Sequence, residues 1–138
     1  MQQCVEAYHR EIKFISAKEL MKSPDAAKMQ EYKGTRKNKH FFLKLLVFDR
    51  LPEDVDRILY LDSDTLVLGS LGPLEELDMQ GNLLAMVMDS LTDKHKALVG
   101  FKRLDRYFNS GVIYVDVKAW KSDNCRERVI RHALTHIA

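Results

Sequence analysis

A chain of 138 residues is the length of one domain, or of a piece of one. Its make-up is ordinary, with 46% hydrophobic and 30% charged residues, six glycines and three prolines, which argues against disordered, collagen-like and disulfide-scaffold classes. No stretch approaches about eighteen consecutive apolar residues, so no transmembrane span is expected.

The net charge of +2 hides a segregation. Residues 1–50 carry eleven Lys/Arg against six acids, residues 51–93 one Arg against ten acids, and residues 94–138 ten Lys/Arg against four acids. An acidic middle between basic flanks suits a polyanion such as a nucleotide diphosphate, held through a cation lodged among the acids. It equally fits solvated faces whose charges separate by chance. Nucleic acid is not expected as a partner, because the basic residues do not alternate with aromatic stacking positions. Met1-Gln2-Gln3-Cys4-Val5-Glu6 lacks the charged-then-apolar layout of a secretory leader. Cys4 and Cys125 fall in no metal-like spacing, and both are expected as reduced thiols of a cytoplasmic protein.

In chain order, Ile12–Ser16 reads as a short strand and Pro24 as a loop entering a short helix. Lys33–Lys39 reads as a basic turn. His40–Leu51 is helical by period, with Phe41, Leu45 and Phe48 on one face and Phe42 and Leu46 beside them, and Pro52 stops it. Arg57–Leu61 is nearly continuous apolar and ends at Asp62, the pattern of a central strand in a parallel sheet. Thr65–Leu68 is a second extended piece closed by Gly69. Pro73–Leu77 reads as one helical turn. Leu83–Met88 is another strand ending in an acid, Asp89, and Val112–Val117 is a third. Ser122 is placed as the cap of a terminal helix that turns Val129, Ile130, Ala133, Leu134 and Ile137 inward. Strands and helices alternate, so the class is α/β.

Asp62-Ser63-Asp64 is the most informative tripeptide. Two carboxylates two residues apart in an extended turn can both reach one hard divalent cation. The pattern alone is weak, since twelve aspartates give about one such pair by chance, and Asp54-Val55-Asp56 is a second copy. Context separates them: Asp54 and Asp56 follow Pro52 in a polar turn, whereas Asp62 and Asp64 follow an apolar strand at its carboxyl end, where open α/β sheets hold ligands. Asp89 repeats that placement, as a ligand contact or as a helix cap. Phe108-Asn109-Ser110-Gly111 offers an amide and a tight glycine turn. His132 and His136, four apart on the terminal helix, have no nearby carboxylate in sequence and read as surface residues, and the isolated His9, His40 and His95 read as ordinary loop or helix residues.

The segment from Arg57 to Leu71, with Leu-Asp62-Ser63-Asp64-Thr65 at its centre, resembles the Asp-x-Asp segment of glycosyltransferase family 8, which includes bacterial lipopolysaccharide galactosyl- and glucosyltransferases and glycogenin. Tyr107-Phe108-Asn109-Ser110-Gly111-Val112, followed by a strand and Lys118-Ala119-Trp120, resembles that family's second signature. The match runs from about Phe41 to Trp120, in order and in register. The resemblance implies a GT-A fold, a Rossmann-like sheet incomplete at both ends here. It implies a UDP-sugar donor, Mn²⁺ or Mg²⁺, and transfer of a hexose with retention to a saccharide or glycolipid acceptor, lipopolysaccharide among them. Asp62 and Asp64 would hold the metal, and Ser63 would lie with them against the donor. Asp89 and Asn109 would orient the donor sugar as positioning groups. Lys44 falls where the family usually has an Arg that contacts the donor, which keeps the charge but loses the two-pronged hydrogen bond. Work at the inner membrane face is the family's usual bacterial setting.

The same resemblance implies an amino-terminal uridine-binding strand and a later His-x-x-Gly-x-x-Lys-Pro-Trp metal segment, neither of which this chain contains. A chain of this extent is therefore expected to carry a half-site and to turn over little or no donor alone, or to persist as an inactive remnant or a binding module. Exposed sheet edges would then favour self-association. A haloacid-dehalogenase-like phosphatase also opens on strand-then-Asp-x-Asp. That family, however, wants Gly where this chain has Thr65 and Thr or Val where it has Leu66.

Overall fold

The longest strand lies in the middle of the sheet, and it runs against both neighbours. The computed structural model describes residues 11–24, 26, 43–98 and 100–136. In chain order these form α1 (Ala17–Leu20), α2 (Leu43–Phe48), β1 (Arg57–Leu61), α3 (Gly72–Glu75), β2 (Leu84–Met88), α4 (Asp93–Leu98), β3 (Phe108–Asp116), α5 (Val117–Ser122) and α6 (Cys125–His136). They divide into two compact units, residues 51–125 and residues 1–50 with 126–138.

In the unit of residues 51–125 the sheet order is β1-β3-β2. Both pairings are antiparallel, with Arg57 opposite Asp116, Leu61 opposite Val112, and Leu84 opposite Val115. The expectation of a parallel sheet is therefore corrected: β1 and β2 share a direction, but each bonds to a β3 that opposes them. An apolar run reports burial, and burial alone does not distinguish the two pairings. The central position explains why Ile113, Tyr114 and Val115 are buried, while β1 is half-buried and Val87 and Met88 on β2 are exposed.

Two boundaries also differ from expectation. Thr65–Leu68, expected as an extended piece, pairs with no strand among the described residues, and Leu66 and Leu68 are exposed. The chain turns after β1, with the Thr65 N–H donating to the Asp62 carbonyl at 3.0 Å, and so leaves the direction that β3 could pair. Strand β3 starts at Phe108 rather than Val112, and Val117 already belongs to a helix. Asp116 caps that helix, its carboxylate accepting from the Ala119 N–H at 2.8 Å, a contact type whose loss costs about 1 kcal/mol. Helix α5 packs on β1 and β3 and buries Val117 and Trp120. Its Lys121 Nζ donates to the Leu51 carbonyl at 2.9 Å. Ser122 ends α5 rather than capping α6, because Asn124 takes a left-handed φ of 50° between them.

In the other unit Leu20, Ala26, Leu46 and Ile130 form a core, with Met21, Leu43, Leu45 and Val47 packed on it. Arg126 pairs with Asp49. The expected strand at Ile12–Ser16 is absent, and Phe14 is exposed. The Ser16 carbonyl instead accepts from the Glu19 and Leu20 N–H groups and so starts α1. Ser23 Oγ accepts from the Ala26 N–H at 3.2 Å, which matches the turn expected at Pro24. Cys125 is buried. Cys4, His9, Lys33–Lys39, His40, Phe41, Phe42 and Ile137 lie outside the described residues, as do the side chains of Ala133, Leu134 and His136. Among the described residues no helix is long and apolar enough to cross a membrane.

Candidate functional site

Antiparallel pairing decides which residues meet. The carboxyl ends of β1 and β2 lie at the same end of the sheet as the amino end of β3. A parallel third strand would have carried Asn109 to the far end, away from Asp62. The reversal brings Asp62, Asp64, Asp89 and Asn109 around one cavity of about 530 Å³.

An irregularity in the sheet opens that cavity. Met86 pairs with Ile113 and Met88 with Phe108, so a step of two residues on β2 faces a step of five on β3. Such bulges bend a strand and re-aim its side chains beside functional sites. Asn109, Ser110 and Gly111 occupy the slack. Beyond it the Asp89 N–H donates to the Tyr107 carbonyl at 2.8 Å, which holds Asp89, half-buried, at the cavity wall.

Asp62 is the most constrained of the four. Its N–H donates to the Gly111 carbonyl at 2.8 Å and extends the β1–β3 ladder by one residue. Tyr60, two residues earlier and so on the same strand face, donates from Oη to Asp62 Oδ1 at 2.5 Å. The Asn109 side-chain oxygen accepts from the Gly111 N–H at 2.7 Å, leaving the Asn109 NH₂ as what that amide offers a ligand. A Cβ on Gly111 would lie 2.9 Å from Asp62 Oδ2 and 3.1 Å from Asn109 Oδ1, so the glycine is there because the carboxylate approaches it.

Asp64 is exposed and lines the cavity. Ser63 is exposed and does not. Lys44 lies in α2 of the other unit and is buried at 7% exposure. The second Asp-x-Asp sits before β1, at the opposite end of that strand, where Asp56 pairs with Lys118 at 2.6 Å; it is the polar turn its context implied. His95 Nδ1 meets Thr92 Oγ1 at 2.8 Å, and His132 is exposed. No cluster of three His, Cys, Asp or Glu side chains suited to a metal occurs among the described residues.

Among the described residues, three carboxylates and no Lys or Arg line the cavity. Such a surface repels a bare diphosphate and accepts one that arrives with a divalent cation. Two aspartates supply the hard oxygen donors that Mn²⁺ or Mg²⁺ prefers, and a Mg²⁺-like ion commonly needs only one or two carboxylates beside its other oxygen ligands. The residues present thus fit the group.

The Tyr60 hydroxyl is pushed up to about 12, first by burial, then by its hydrogen bond to Asp62 and the charges of Asp62 and Asp64. Its proton is held more tightly in the folded chain than in the unfolded one. The associated stability is fully present below pH ~10 and is lost as pH rises through ~12. A tyrosinate absorbance titration should show one phase near 12, which disappears in Tyr60→Phe.

Sequence reasoning missed Tyr60 and took Gly111 only as a turn. The available signal was the spacing of two from Tyr60 to Asp62, since alternate strand residues share a face. Helix α4 was also missed, although Thr92, whose Oγ1 accepts from the His95 N–H at 3.4 Å, is a common cap residue.

The model of glycosyl transferase family 8 matches residues 1–136. The lipopolysaccharide 1,2-glucosyltransferase of Escherichia coli K12 is 34% identical over 92 residues, which are 64% of this chain and 27% of that protein. The glycosyltransferase GlyE of Streptococcus pneumoniae TIGR4 superimposes with a TM-score of 0.51 at 30% identity, over 69% of this chain and 21% of that one. The galactosyltransferase LgtC, solved with donor and acceptor sugar analogs, superimposes with a TM-score of 0.55 at 24% identity, over 78% of this chain and 46% of that one. The architecture is that of the GT-A glycosyltransferases, and the chain spans less than half the length of each of these relatives.

Proposed function

This chain belongs to glycosyl transferase family 8, and from that premise we propose that it carries the cation and sugar half of a site that moves a hexose from a UDP-sugar to a saccharide acceptor, with retention. The observation that carries this reading is the meeting of Asp62, Asp64, Asp89 and Asn109 on one cavity, with no basic lining residue among those described. Asp62 and Asp64 would hold Mn²⁺ or Mg²⁺. The bound cation would offset the charge that gathers on the departing diphosphate as the anomeric bond breaks.

The remaining groups position. Asp89 accepts hydrogen bonds from sugar hydroxyls, and the Asn109 NH₂ donates to a sugar oxygen, so the anomeric carbon is presented in one orientation to the acceptor. None of them needs to act as a proton carrier for UDP to leave. The acceptor is a surface glycan of the lipopolysaccharide type, a choice supported by the relative named a lipopolysaccharide 1,2-glucosyltransferase.

Binding of the donor and turnover of the donor are separate levels of this proposal. Calorimetric titration of UDP separates the two levels of the proposal. Binding should appear with Mn²⁺ and vanish with EDTA, because the cavity supplies no cation of its own. No binding by a chain that circular dichroism shows to be folded would overturn the half-site. Hexose transfer by the 138-residue chain itself would establish the second level as well as the first.

A further inference from the structure

An aspartate at the open end of a strand turns freely about its side-chain bonds, and a cation ligand that turns freely loses affinity by having to be ordered on binding. Asp62 is not free in this way. Tyr60 Oη donates to its Oδ1 at 2.5 Å, and the Cα of Gly111 backs its Oδ2 so closely that a methyl group would stand 2.9 Å away. Gly111 is itself fixed, its N–H donating to Asn109 Oδ1 at 2.7 Å and its carbonyl accepting from the Asp62 N–H at 2.8 Å. The carboxylate is therefore held from two sides by neighbouring strands.

The choice of a phenol matters. A lysine or arginine at that position would also orient the carboxylate, but its charge would cancel the one that a cation needs. A tyrosine hydroxyl is a neutral donor. It takes one lone pair of Oδ1 and leaves the carboxylate its full charge.

We propose that Tyr60 and Gly111 are positioning residues that hold the Asp62 carboxylate in a single orientation for a divalent cation; the proposal rests on the cation site described above. Gly111 also lines the cavity, and in this role both residues act through Asp62. Hydrogen-bonded partners of metal-ligating groups typically contribute about 10–100-fold in metal affinity.

The test uses the full chain with UDP and reads two quantities: the Asp62 side-chain rotamer, from NMR scalar couplings, and the Mn²⁺ dissociation constant, from electron paramagnetic resonance. In Tyr60→Phe, which keeps the ring and removes only the hydroxyl, Asp62 should average over rotamers and the Mn²⁺ constant should rise about 10-fold. The thermal midpoint should fall by no more than the loss of one hydrogen bond explains, and restoring the fold by cooling should not restore the Mn²⁺ constant, a separation that a merely structural role would not give. Gly111→Ala reaches the same carboxylate from the other side with Tyr60 intact, and should also weaken Mn²⁺. A Tyr60→Phe chain that keeps one Asp62 rotamer and the original Mn²⁺ constant would overturn the proposal while leaving the cation site standing. Were Tyr60→Phe not to fold, an unchanged Mn²⁺ constant in Gly111→Ala would overturn it equally. Failure of the unaltered chain to bind Mn²⁺ would instead overturn the cation site, and the proposal with it.

Discussion

Asp64→Ala should abolish Mn²⁺-dependent UDP binding and leave the fold intact. Asp64 lines the cavity yet is exposed, and surface substitutions away from packed or paired features usually shift stability by no more than ~0.5 kcal/mol. Its loss removes one of two carboxylates proposed to hold the cation, so affinity should fall by more than the about 10–100-fold attached to an outer partner. The two aspartates differ in this respect. Asp62 is half-buried and bonded to Tyr60 and Gly111, so its removal mixes lost ligation with a disturbed strand end. Asp64 isolates ligation. Paired titrations of UDP with Mn²⁺, beside denaturation curves of both chains, provide the check. Undiminished binding in Asp64→Ala would remove Asp64 from the ligand set.

Trp120→Ala should do the reverse and lose binding because it loses the sheet. Trp120 is 1% exposed and is the largest of the fully buried side chains, on a helix that packs against β1 and β3. Truncating a buried aromatic of that size costs about 3–5 kcal/mol. Domain stabilities total only about 5–15 kcal/mol, so the change consumes a large part of what holds this unit together. Because β3 carries both Asn109 and Gly111, the site should fail with it. Trp120 is the sole tryptophan, so its own fluorescence cannot follow the variant. Urea unfolding by circular dichroism can, and hydrogen exchange at Ile113, Tyr114 and Val115 reports on β3 directly. Wild-type protection of those amides in Trp120→Ala would show that the helix contributes little to the sheet.

The pair forms a useful contrast. One variant should lose the ligand and keep its amide protection, and the other should lose both. A chain whose binding survives Trp120→Ala would place the UDP contacts outside the sheet altogether.

Several features were legible along the chain because they are local. The apolar run Arg57–Leu61 marked a strand, and the acids directly after it and after Met88 marked two strand ends. Proline marked the helix start at Pro73. The family signatures around Asp62 and Asn109 are likewise local strings, and the family match agrees with them. The misses have a common origin. Ile12–Ser16 alternates like a strand, but a strand exists only with a hydrogen-bonded neighbour, and these residues are exposed instead. Strand β3 starts at Phe108 rather than Val112 because Met88 of β2 pairs with it there.

By itself the sequence determined which segments bury apolar surface, where charge collects and which acids end strands, since each depends on neighbours along the chain. Only the tertiary structure decided that β3 runs against β1 and β2. Pairing direction depends on hydrogen bonds between residues about fifty positions apart, such as Leu61 and Val112, and no local pattern encodes it. That direction is what brings Asn109 and Gly111 to Asp62. The hydroxyl of Tyr60 and the missing Cβ of Gly111 acquire their meaning only there, where one carboxylate is held between two strands.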